Sequence, residues 1–188
     1  MKQTFAIIGV DGSGKSTLIS QLGQRFGEKA MTQYMGSVRF EDERIEIIKN
    51  KQSLSVYDSI RLYFLIYKCF WDRYKTATKS NKLVLFDRYV DERYINAKGK
   101  YRFLNVILYK YFFPKPSHII YLHCSAETSF NRKSDIPDKS AFIAMKERFD
   151  EFYMKGKSNL CLSSDDSTPG ELSEIAYNYI LKESNGRL

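Results

Sequence analysis

The residues with the clearest chemical meaning lie in one short stretch, residues 9–17, which reads Gly-Val-Asp-Gly-Ser-Gly-Lys-Ser-Thr. It matches the phosphate-binding pattern of two glycines five residues apart, followed by Lys and Ser or Thr. In such a loop the backbone N–H groups point inward around a polyphosphate, the lysine reaches its β- and γ-phosphates, and the serine hydroxyl ligates Mg²⁺. The stretch therefore predicts a site for a nucleotide such as ATP, with Mg²⁺, formed by Asp11, Gly12, Ser13, Gly14, Lys15, Ser16 and Thr17.

The elements around this loop are those that its chemistry requires. Residues 5–8 (Phe-Ala-Ile-Ile) form a short apolar run that predicts a buried parallel strand. After the loop, apolar residues recur at helical spacing at Leu18, Ile19, Leu22 and Phe26. The positive end of that helix would face the phosphates. A glycine-rich turn without a ligand is the alternative, and the agreement of pattern and context disfavours it.

A second group with chemical potential follows the apolar run 82–86, where the chain reads Asp87-Arg88-Tyr89. A carboxylate at the end of such a strand is well placed to hold a Mg²⁺-bound water, so Asp87 is a candidate metal residue. Arg88 would direct its guanidinium at a phosphate on the substrate side. A solvated ionic strand end is the alternative, and the loop at residues 9–17 favours the functional interpretation.

Two further groups are candidates for closing and shaping the site. Arg132 and Lys133 precede a proline-bearing turn, which predicts a lid at about residues 132–139 that closes over a polyphosphate. A polar loop between helices is the alternative. Tyr63 and Tyr67 lie one turn apart on a long helix predicted over residues 53–78, where they could form part of a base-binding wall. Core packing is the equally weighted alternative for that pair.

The remaining pattern alternates strands with helices. Further strands are predicted over residues 29–36, 118–122 and 160–162, and helices over residues 41–50, 91–113 (broken near Gly99), 126–132, from 138, and from 169. This order predicts an α/β fold in which a parallel sheet lies between two layers of helices. With 188 residues and no linker, the chain is most simply one domain.

Composition limits the partners and the compartment. The net charge of +8 suits an anionic partner such as a nucleotide, a nucleic acid or an acidic membrane surface. The basic cluster at Lys98, Lys100 and Arg102 is interpreted as a solvated face, which makes a nucleic-acid partner the weaker hypothesis. The three cysteines lack metal-site spacing and favour buried thiols in a reducing, cytoplasmic compartment. The most apolar stretch, residues 60–71, carries charged residues and is not predicted to span a membrane.

Taken in order, the loop at residues 9–17, Asp87-Arg88-Tyr89 and Arg132-Lys133 resemble the thymidylate kinase family of P-loop nucleoside monophosphate kinases. The spacing of these elements matches over nearly the whole chain. The resemblance implies a five-stranded parallel sheet and an ATP-dependent phosphoryl transfer to a nucleoside monophosphate, with dTMP as the first expectation. It also implies a homodimer that pairs through helices.

The resemblance also implies residue roles. Asp11 corresponds to the acid that contacts the acceptor's sugar hydroxyl, Asp87 to the acid that organises magnesium, and Arg88 to the arginine that clamps the acceptor phosphate. Arg132, with Lys133, corresponds to the lid. Residues 12 and 13 are Gly and Ser where one branch of the family carries an arginine, so Arg132 would supply the cation of the transition state. The implied catalytic residues are thus Lys15, Arg88 and Arg132.

Three departures concern the acceptor. Arg39 stands near the place of an arginine that the family carries after its second strand. Tyr63 and Tyr67 stand about where the family reads thymine with an aromatic residue and an arginine, and no arginine is identified there. Residues 90–94 (Val-Asp-Glu-Arg-Tyr) replace the small and polar residues that follow Asp-Arg-Tyr. The chain resembles more closely a set of thymidylate kinase-like proteins often linked to surface polysaccharide synthesis. That set shares the Asp-Arg-Tyr, a later Tyr-Arg, here Tyr101-Arg102, and an Arg-Lys lid followed by proline.

These departures leave two alternative functions open. One is a P-loop kinase for another small acceptor, such as a phosphorylated sugar. The other is a non-catalytic nucleotide-binding regulatory module.

Overall fold

A five-stranded parallel sheet organises the residues that the computed structural model describes, which are 3–38, 41–97, 102–133, 136 and 138–184. The strands are β1 (Thr4–Ile8), β2 (Ala30–Tyr34), β3 (Leu83–Asp87), β4 (His118–His123) and β5 (Leu160–Ser163). They lie in the order β2-β3-β1-β4-β5, and every neighbouring pair is parallel. The predicted five-stranded parallel sheet is confirmed.

Helices connect the strands and cover both faces of the sheet. They are α1 (Lys15–Phe26), α2 (Glu43–Lys49), α3 (Val56–Lys79), α4 (Asp91–Ile95), α5 (Arg102–Asn105), a π-helical segment (Val106–Tyr111), α6 (Ala126–Arg132), α7 (Lys139–Met154) and α8 (Pro169–Glu183). Side chains of Ser125, Asp138 and Thr168 cap the starts of α6, α7 and α8, as their sequence signatures indicate. Thr168 and Glu171 form a complete capping box.

The alternation of side chains along β1 divides the core into two halves. Phe5 and Ile7 pack with residues of α1 and α8 on one face of the sheet. Ala6 and Ile8 pack with residues of α3, the π-helical segment and α7 on the other face. All four side chains are fully buried, because both faces of a parallel sheet must be covered. The predicted three-layer sandwich of helices, sheet and helices is therefore confirmed.

A cluster of aromatic rings holds α3 against the π-helical segment. Phe113 lies at its centre, with ring centroids 5.7 Å from Trp71, 5.8 Å from Tyr67 and 5.8 Å from Tyr74. Tyr67 belongs to this cluster, and its hydroxyl donates a hydrogen bond to the Phe112 carbonyl at 3.2 Å. Many of the chain's aromatic residues are thus used for packing, and Tyr67 is among them.

The chain after β3 is less regular than the sequence indicates. One interrupted helix is expected over residues 91–113, whereas the structure has α4, α5 and the π-helical segment there. The predicted break at Gly99 lies outside the described residues, as do Lys98 and Lys100 of the basic cluster. A π-helical segment adds one residue per turn and leaves no signature in the apolar spacing.

The expectation of three buried thiols is wrong for one of them. Cys124 is buried and Cys69 is half-buried, but Cys161 is exposed. Cys161 lies on β5, which is an edge strand, so the helical layers leave it uncovered.

The central position of Phe113 gives a test of this packing. Replacing Phe113, which is 3% exposed, with Ala removes a ring that touches several others. We expect it to destabilise the fold by about 3–5 kcal/mol. Its neighbour Phe112 is 67% exposed, so Phe112→Ala is a matched control that should change the stability by less than about 1 kcal/mol. Denaturant unfolding measures both variants, and equal losses would contradict the assignment of the core.

Candidate active site

The phosphate-binding loop joins β1 to α1 and is packed too closely to admit side chains at Gly9 and Gly12. A Cβ atom on Gly9 would lie 2.2 Å from the Leu122 carbonyl oxygen of β4. Gly14 stands at the start of α1 with φ of 94°, in the left-handed region that glycine adopts without strain. The loop thus lies against the carboxyl end of the sheet, with the N-terminus of α1 at its rim.

Gly12 brings the loop into contact with α6. Its φ is 83°, and a Cβ atom there would lie 2.8 Å from the Ser129 Cα and 3.0 Å from the Ser129 carbonyl oxygen. Both obstructions are backbone atoms of a helix, which cannot move aside as a flexible side chain can. Residue 12 must therefore be glycine in this arrangement.

Lys15 is buried inside the loop. Its Nζ donates a hydrogen bond to the Val10 carbonyl at 2.6 Å. Burial, assisted by the charge of Arg88, lowers the pKa of Lys15 to about 8, although nearby carboxylates, Asp11 first, oppose the shift. The ammonium group therefore lies in a poorly solvated position, where an anion would stabilise its charged form.

Arg88 is the residue that connects the loop to the rest of the site. Its backbone N–H donates to the Ile7 carbonyl of β1 at 3.0 Å, and its φ is 65°. Among the described residues it is the one non-glycine residue with a positive φ. Its guanidinium forms an ion pair with Asp11 of the loop and hydrogen bonds of 3.0 and 3.2 Å with Glu92 of α4. Arg88 thus holds the phosphate-binding loop and α4 together.

Glu92 is a site residue that the sequence reasoning missed. It stands four residues after Arg88, a spacing that brings side chains together when the second residue lies on a helix. The sequence predicts one helix over residues 91–113, whereas Glu92 lies on the short helix α4. The spacing of four residues between Arg88 and Glu92 is the signal that the sequence offers for this pair.

The cations of the site and the burial of its carboxylates shift the pKa values of Asp11, Asp87 and Glu92. Burial would raise the pKa of Asp11, but the charges of Arg88, Lys15 and Lys133 outweigh it and hold the pKa below its usual value. Burial raises the pKa of Glu92 and of Asp87 above their usual values, and the nearby cations oppose that shift without cancelling it. The Asp11 carboxylate is therefore the most firmly ionised of the three.

A cavity of about 460 Å³ begins at Arg88 and Glu92. We call it the acceptor-side cavity. Its wall consists of residues from the segment after β2, from α2, from α3 and from α4 and α5: Tyr34, Met35, Gly36, Ser37, Val38, Lys49, Ile66, Phe70, Arg88, Tyr89, Glu92, Arg93, Asn96, Ala97 and Asn105. It combines apolar side chains with cationic and amide groups, as small-molecule sites generally do.

The residues that α3 contributes to this cavity are Ile66 and Phe70. Tyr63 and Tyr67 do not line it, so the structure does not bring the expected base-binding pair to this cavity. Tyr67 is drawn away because its ring packs against Phe113 and its hydroxyl bonds to the neighbouring backbone. Tyr67 packs as the core-packing alternative expects, and a base-binding role for the pair stays a prediction.

Arg73 is an arginine of α3 that lies beyond the positions of Tyr63 and Tyr67. It follows Phe70 by three residues and donates hydrogen bonds to the carbonyls of Tyr34 at 3.1 Å and Ser37 at 2.9 Å. It also pairs with Glu41. Arg73 thus fixes the segment after β2 that walls the acceptor-side cavity. Arg39, the arginine expected from that segment, lies outside the described residues.

Arg132 lies at a second cavity, of about 200 Å³, on the other side of the phosphate-binding loop. Its guanidinium donates to the Gly12 carbonyl at 3.2 Å and to the Ser164 carbonyl and hydroxyl at 2.9 Å each. It forms the last residue of α6, and Lys133 follows it as an exposed residue. Of the predicted lid, residues 134, 135 and 137 lie outside the described residues.

Among the described residues, no group of three or more His, Cys, Asp or Glu side chains could hold a metal ion by itself. In the same part of the chain, no helix is long and apolar enough to cross a membrane.

The fold and these residues can be compared with known proteins. The family model described as thymidylate kinase matches residues 7–165. The chain belongs to the thymidylate kinase family. The match includes the phosphate-binding loop, Asp87, Arg88 and Arg132, and membership makes the chain a nucleotide kinase at the level of the family. No curated protein matches the chain.

Solved structures of similar fold include a thymidylate kinase from Candida albicans, with 20% sequence identity and a TM-score of 0.73 over 99% of this chain and 94% of that one. A deoxyadenosine kinase from M. mycoides with products dCMP and dCDP has 16% identity and a TM-score of 0.65 over 96% of this chain and 100% of that one. The same M. mycoides enzyme with bound dATP has 14% identity and a TM-score of 0.64 over 95% and 99%.

The contact between Gly12 and α6 explains one departure from the thymidylate kinase family. A branch of the family is expected to carry an arginine in this part of the loop, where this chain has Gly12 and Ser13. At position 12 the backbone of Ser129 occupies the space that any side chain would need. Position 12 therefore has no room for an arginine in this chain.

The close fit of Gly12 gives a second test. We expect Gly12→Ala to push the loop away from α6 and to weaken ATP binding at least about tenfold, since a Cβ meets backbone atoms there and the left-handed φ adds strain. Gly170→Ala is the matched control, because nothing lies within 4 Å of a Cβ at that position. Titration calorimetry with ATP and Mg²⁺ measures both variants. Unchanged affinity in Gly12→Ala would show that the loop tolerates a side chain.

Proposed function

We propose that the chain is an ATP-dependent phosphotransferase that transfers the γ-phosphate of ATP to a nucleoside monophosphate, with dTMP as the first acceptor to test. The observation that carries the proposal is the ion pair between Asp11 and Arg88. It joins the loop that would hold the donor phosphates to the head of the acceptor-side cavity. Donor and acceptor would therefore meet at one point, in a single domain spanning residues 1–188.

The donor side is assigned to the loop and the start of α1. Backbone N–H groups of residues 12–17 and the Lys15 ammonium would hold the phosphates, and Lys133 would add a second cation. The exposed Ser16 hydroxyl at the start of α1 and the Asp87 carboxylate at the end of β3 are oxygen ligands of the kind Mg²⁺ prefers, so these residues fit that ion. When bound, Mg²⁺ would neutralise phosphate charge.

Transfer needs positioned cations on the acceptor side as well. Arg88 would hold the acceptor phosphate, and Asp11 would contact the acceptor's sugar hydroxyl. Arg132 would neutralise the transferred group, and its hydrogen bond to the Gly12 carbonyl at the edge of the loop supports this role. The catalysis would consist of positioning and charge stabilisation, without a covalent intermediate.

One observation favours a second candidate, a kinase whose acceptor group is a hydroxyl rather than a phosphate. The positive charge of Arg88 is already balanced by Asp11 and Glu92. An acceptor phosphate has to displace or share these carboxylates, whereas a sugar hydroxyl could be oriented by one of them. The deoxyadenosine kinase from M. mycoides shows that this fold is compatible with a nucleoside kinase.

The assay that separates these functions is ADP release from ATP and Mg²⁺ with a panel of nucleoside monophosphates, nucleosides and phosphorylated sugars. Release with monophosphates supports the proposal, and release with nucleosides alone supports the hydroxyl acceptor. Release with sugar phosphates alone supports the first alternative kinase. ATP binding without ADP release in the presence of any acceptor would support the alternative of a non-catalytic regulatory module.

Two substitutions test the assigned roles. We expect Lys15→Ala to abolish transfer while the protein stays folded.

Arg88→Ala should raise the acceptor KM and lower kcat together, with kcat/KM falling by roughly a hundredfold or more, since a charged hydrogen-bonding partner is lost. Arg25→Ala removes an exposed ion pair with Glu174 and serves as the control, with kinetics unchanged. A defect of Arg88→Ala confined to the ATP KM would contradict its acceptor role.

A homodimer in a cytoplasmic setting is part of this proposal. Exposed apolar side chains line one side of α3 at Tyr57, Ile60 and Phe64, which are 70%, 38% and 54% exposed. Their spacing of three and four residues makes a continuous stripe that a second helix could cover. Light scattering tests this point, since a dimer has twice the 22.0 kDa mass of the chain.

A further inference from the structure

A cavity of about 270 Å³ lies outside the site described above. We call it the distal cavity. Its wall comes from α4, the π-helical segment, the chain leading into β4, the end of α7 and the chain before β5: Asp91, Tyr94, Tyr109, Lys110, Pro114, Lys115, Pro116, Ile119, Phe152, Lys157 and Asn159. In the part of the chain that the structure describes, this wall shares no residue with the acceptor-side cavity or with the cavity at Arg132. The proposed function therefore gives it no role.

Three lysines from separate segments give the distal cavity a positive rim. Lys110 lies on the π-helical segment, Lys115 precedes β4, and Lys157 follows α7. All three are exposed, and none of them forms an ion pair with a carboxylate of the described residues. Of the lining residues, Asp91 carries the one carboxylate, and burial raises its pKa to about 6 although the Lys115 charge opposes the shift. Three cations against one carboxylate suit a ligand with two or more negative charges.

The remaining side chains of the wall suit a ring. Tyr94 and Phe152 lie with their ring centroids 5.8 Å apart and their planes at 73°. Both are half-buried, so part of each ring surface can contact a ligand. Pro114, Pro116 and Ile119 add apolar surface beside them. Ligand pockets usually enclose about 300–1,000 Å³, so this smaller cavity suits a compact ring whose charged end lies at the rim.

Asn159 adds a hydrogen-bond donor next to the lysines. Its Oδ1 accepts a hydrogen bond from the Ile119 N–H at 2.8 Å, and its own backbone N–H donates to the Ile119 carbonyl at 2.8 Å. These bonds fix the side chain where β4 and β5 begin. Because the side-chain oxygen is already used, the amide NH₂ group is what Asn159 offers a ligand. Donors beside cations favour an anionic oxygen as the partner.

Helix α4 belongs to the walls of both cavities. Asp91 and Tyr94 line the distal cavity, whereas Glu92 and Arg93 line the acceptor-side cavity. Glu92 also accepts the hydrogen bonds of 3.0 and 3.2 Å from Arg88. Since α4 has only five residues, a displacement of Asp91 and Tyr94 would also displace Glu92. A ligand in the distal cavity would thus act on the carboxylate that holds Arg88.

We propose that the distal cavity binds a small ring-bearing anion of the nucleoside diphosphate class, and that its occupancy alters the acceptor side through α4. The base would contact Tyr94 and Phe152, and the two phosphates would lie among the lysines of the rim. The binding site stands independently of the proposed function. The effect on the acceptor side rests on that function, which itself releases nucleoside diphosphates as products.

Lysine acetylation read by mass spectrometry tests the binding at each residue. We expect dTDP or ADP to slow the modification of Lys110, Lys115 and Lys157 at least about threefold, as a ligand at twice its Kd would. Pyrophosphate lacks the ring and thymidine lacks the charge, so each should protect these lysines less at the same concentration. The exposed Lys29 serves as the internal control. Equal protection by pyrophosphate would contradict the role of the ring.

A pair of double variants tests the site and its effect. Lys115→Gln with Lys157→Gln removes two cations of the rim, and Lys29→Gln with Lys182→Gln removes the same charge at exposed positions outside the wall. Titration calorimetry should show one fewer bound diphosphate in the first variant than in the second. In turnover assays, the change in acceptor KM caused by added diphosphate should be at least about twofold smaller in the first variant. Circular dichroism establishes that both are folded.

The outcomes separate this inference from the proposed function. Equal stoichiometry in the two variants would overturn the distal site, whether or not the chain turns over. A lost equivalent with an unchanged response of the acceptor KM would overturn the effect through α4. Absence of turnover with every acceptor would overturn the proposed function and that effect with it, while the calorimetric stoichiometry still decides whether the distal cavity binds the diphosphate.

Discussion

The ion pair between Asp11 and Arg88 is the contact on which the rest of the site depends. Asp11 belongs to the phosphate-binding loop, and Arg88 leaves the end of β3, one strand away in the sheet. Arg88 also reaches Glu92 on α4, so one side chain spans the loop, the sheet and the helix that walls the acceptor-side cavity. Charge-assisted hydrogen bonds of this kind are short and directional. They fix the distance between the two places where phosphates are expected.

This arrangement lies where parallel sheets provide room for ligands. The carboxyl ends of β1 and β3 are adjacent in the strand order, and the chain leaves each of them on a segment that carries functional residues. The aromatic cluster around Phe113 then sets the position of α3, and Arg73 on α3 holds the segment after β2. Packing thus positions the cavity wall, and its polar groups come from several elements, among them Lys49 of α2, Arg88 after β3 and Asn105 of α5.

The sequence predicted the elements that depend on local patterns and failed where contacts are long-range. The loop glycines, the apolar strands and the capping residues Ser125 and Thr168 each leave a signature within a few residues, and the structure has them as expected. Tyr67 could pack or bind, because helical spacing does not say what lies opposite a residue. The contacts of Arg73 leave no local signature, because its partners are more than thirty residues away in the chain. The π-helical segment leaves no signature in the apolar spacing either.

The backbone of Arg88 carries a consequence for the balance between stability and activity. Its φ of 65° is a conformation that glycine adopts freely and that other residues adopt at a cost of about 1–3 kcal/mol. Glycine at this position would relax the chain at the end of β3 and would also erase the guanidinium that unites loop and helix. Glycine would also leave the Asp11 and Glu92 carboxylates without the cation that both of them contact, which costs stability in its turn. The strained backbone of residue 88 and the two ion pairs of its side chain therefore come together, and neither can be changed without the other.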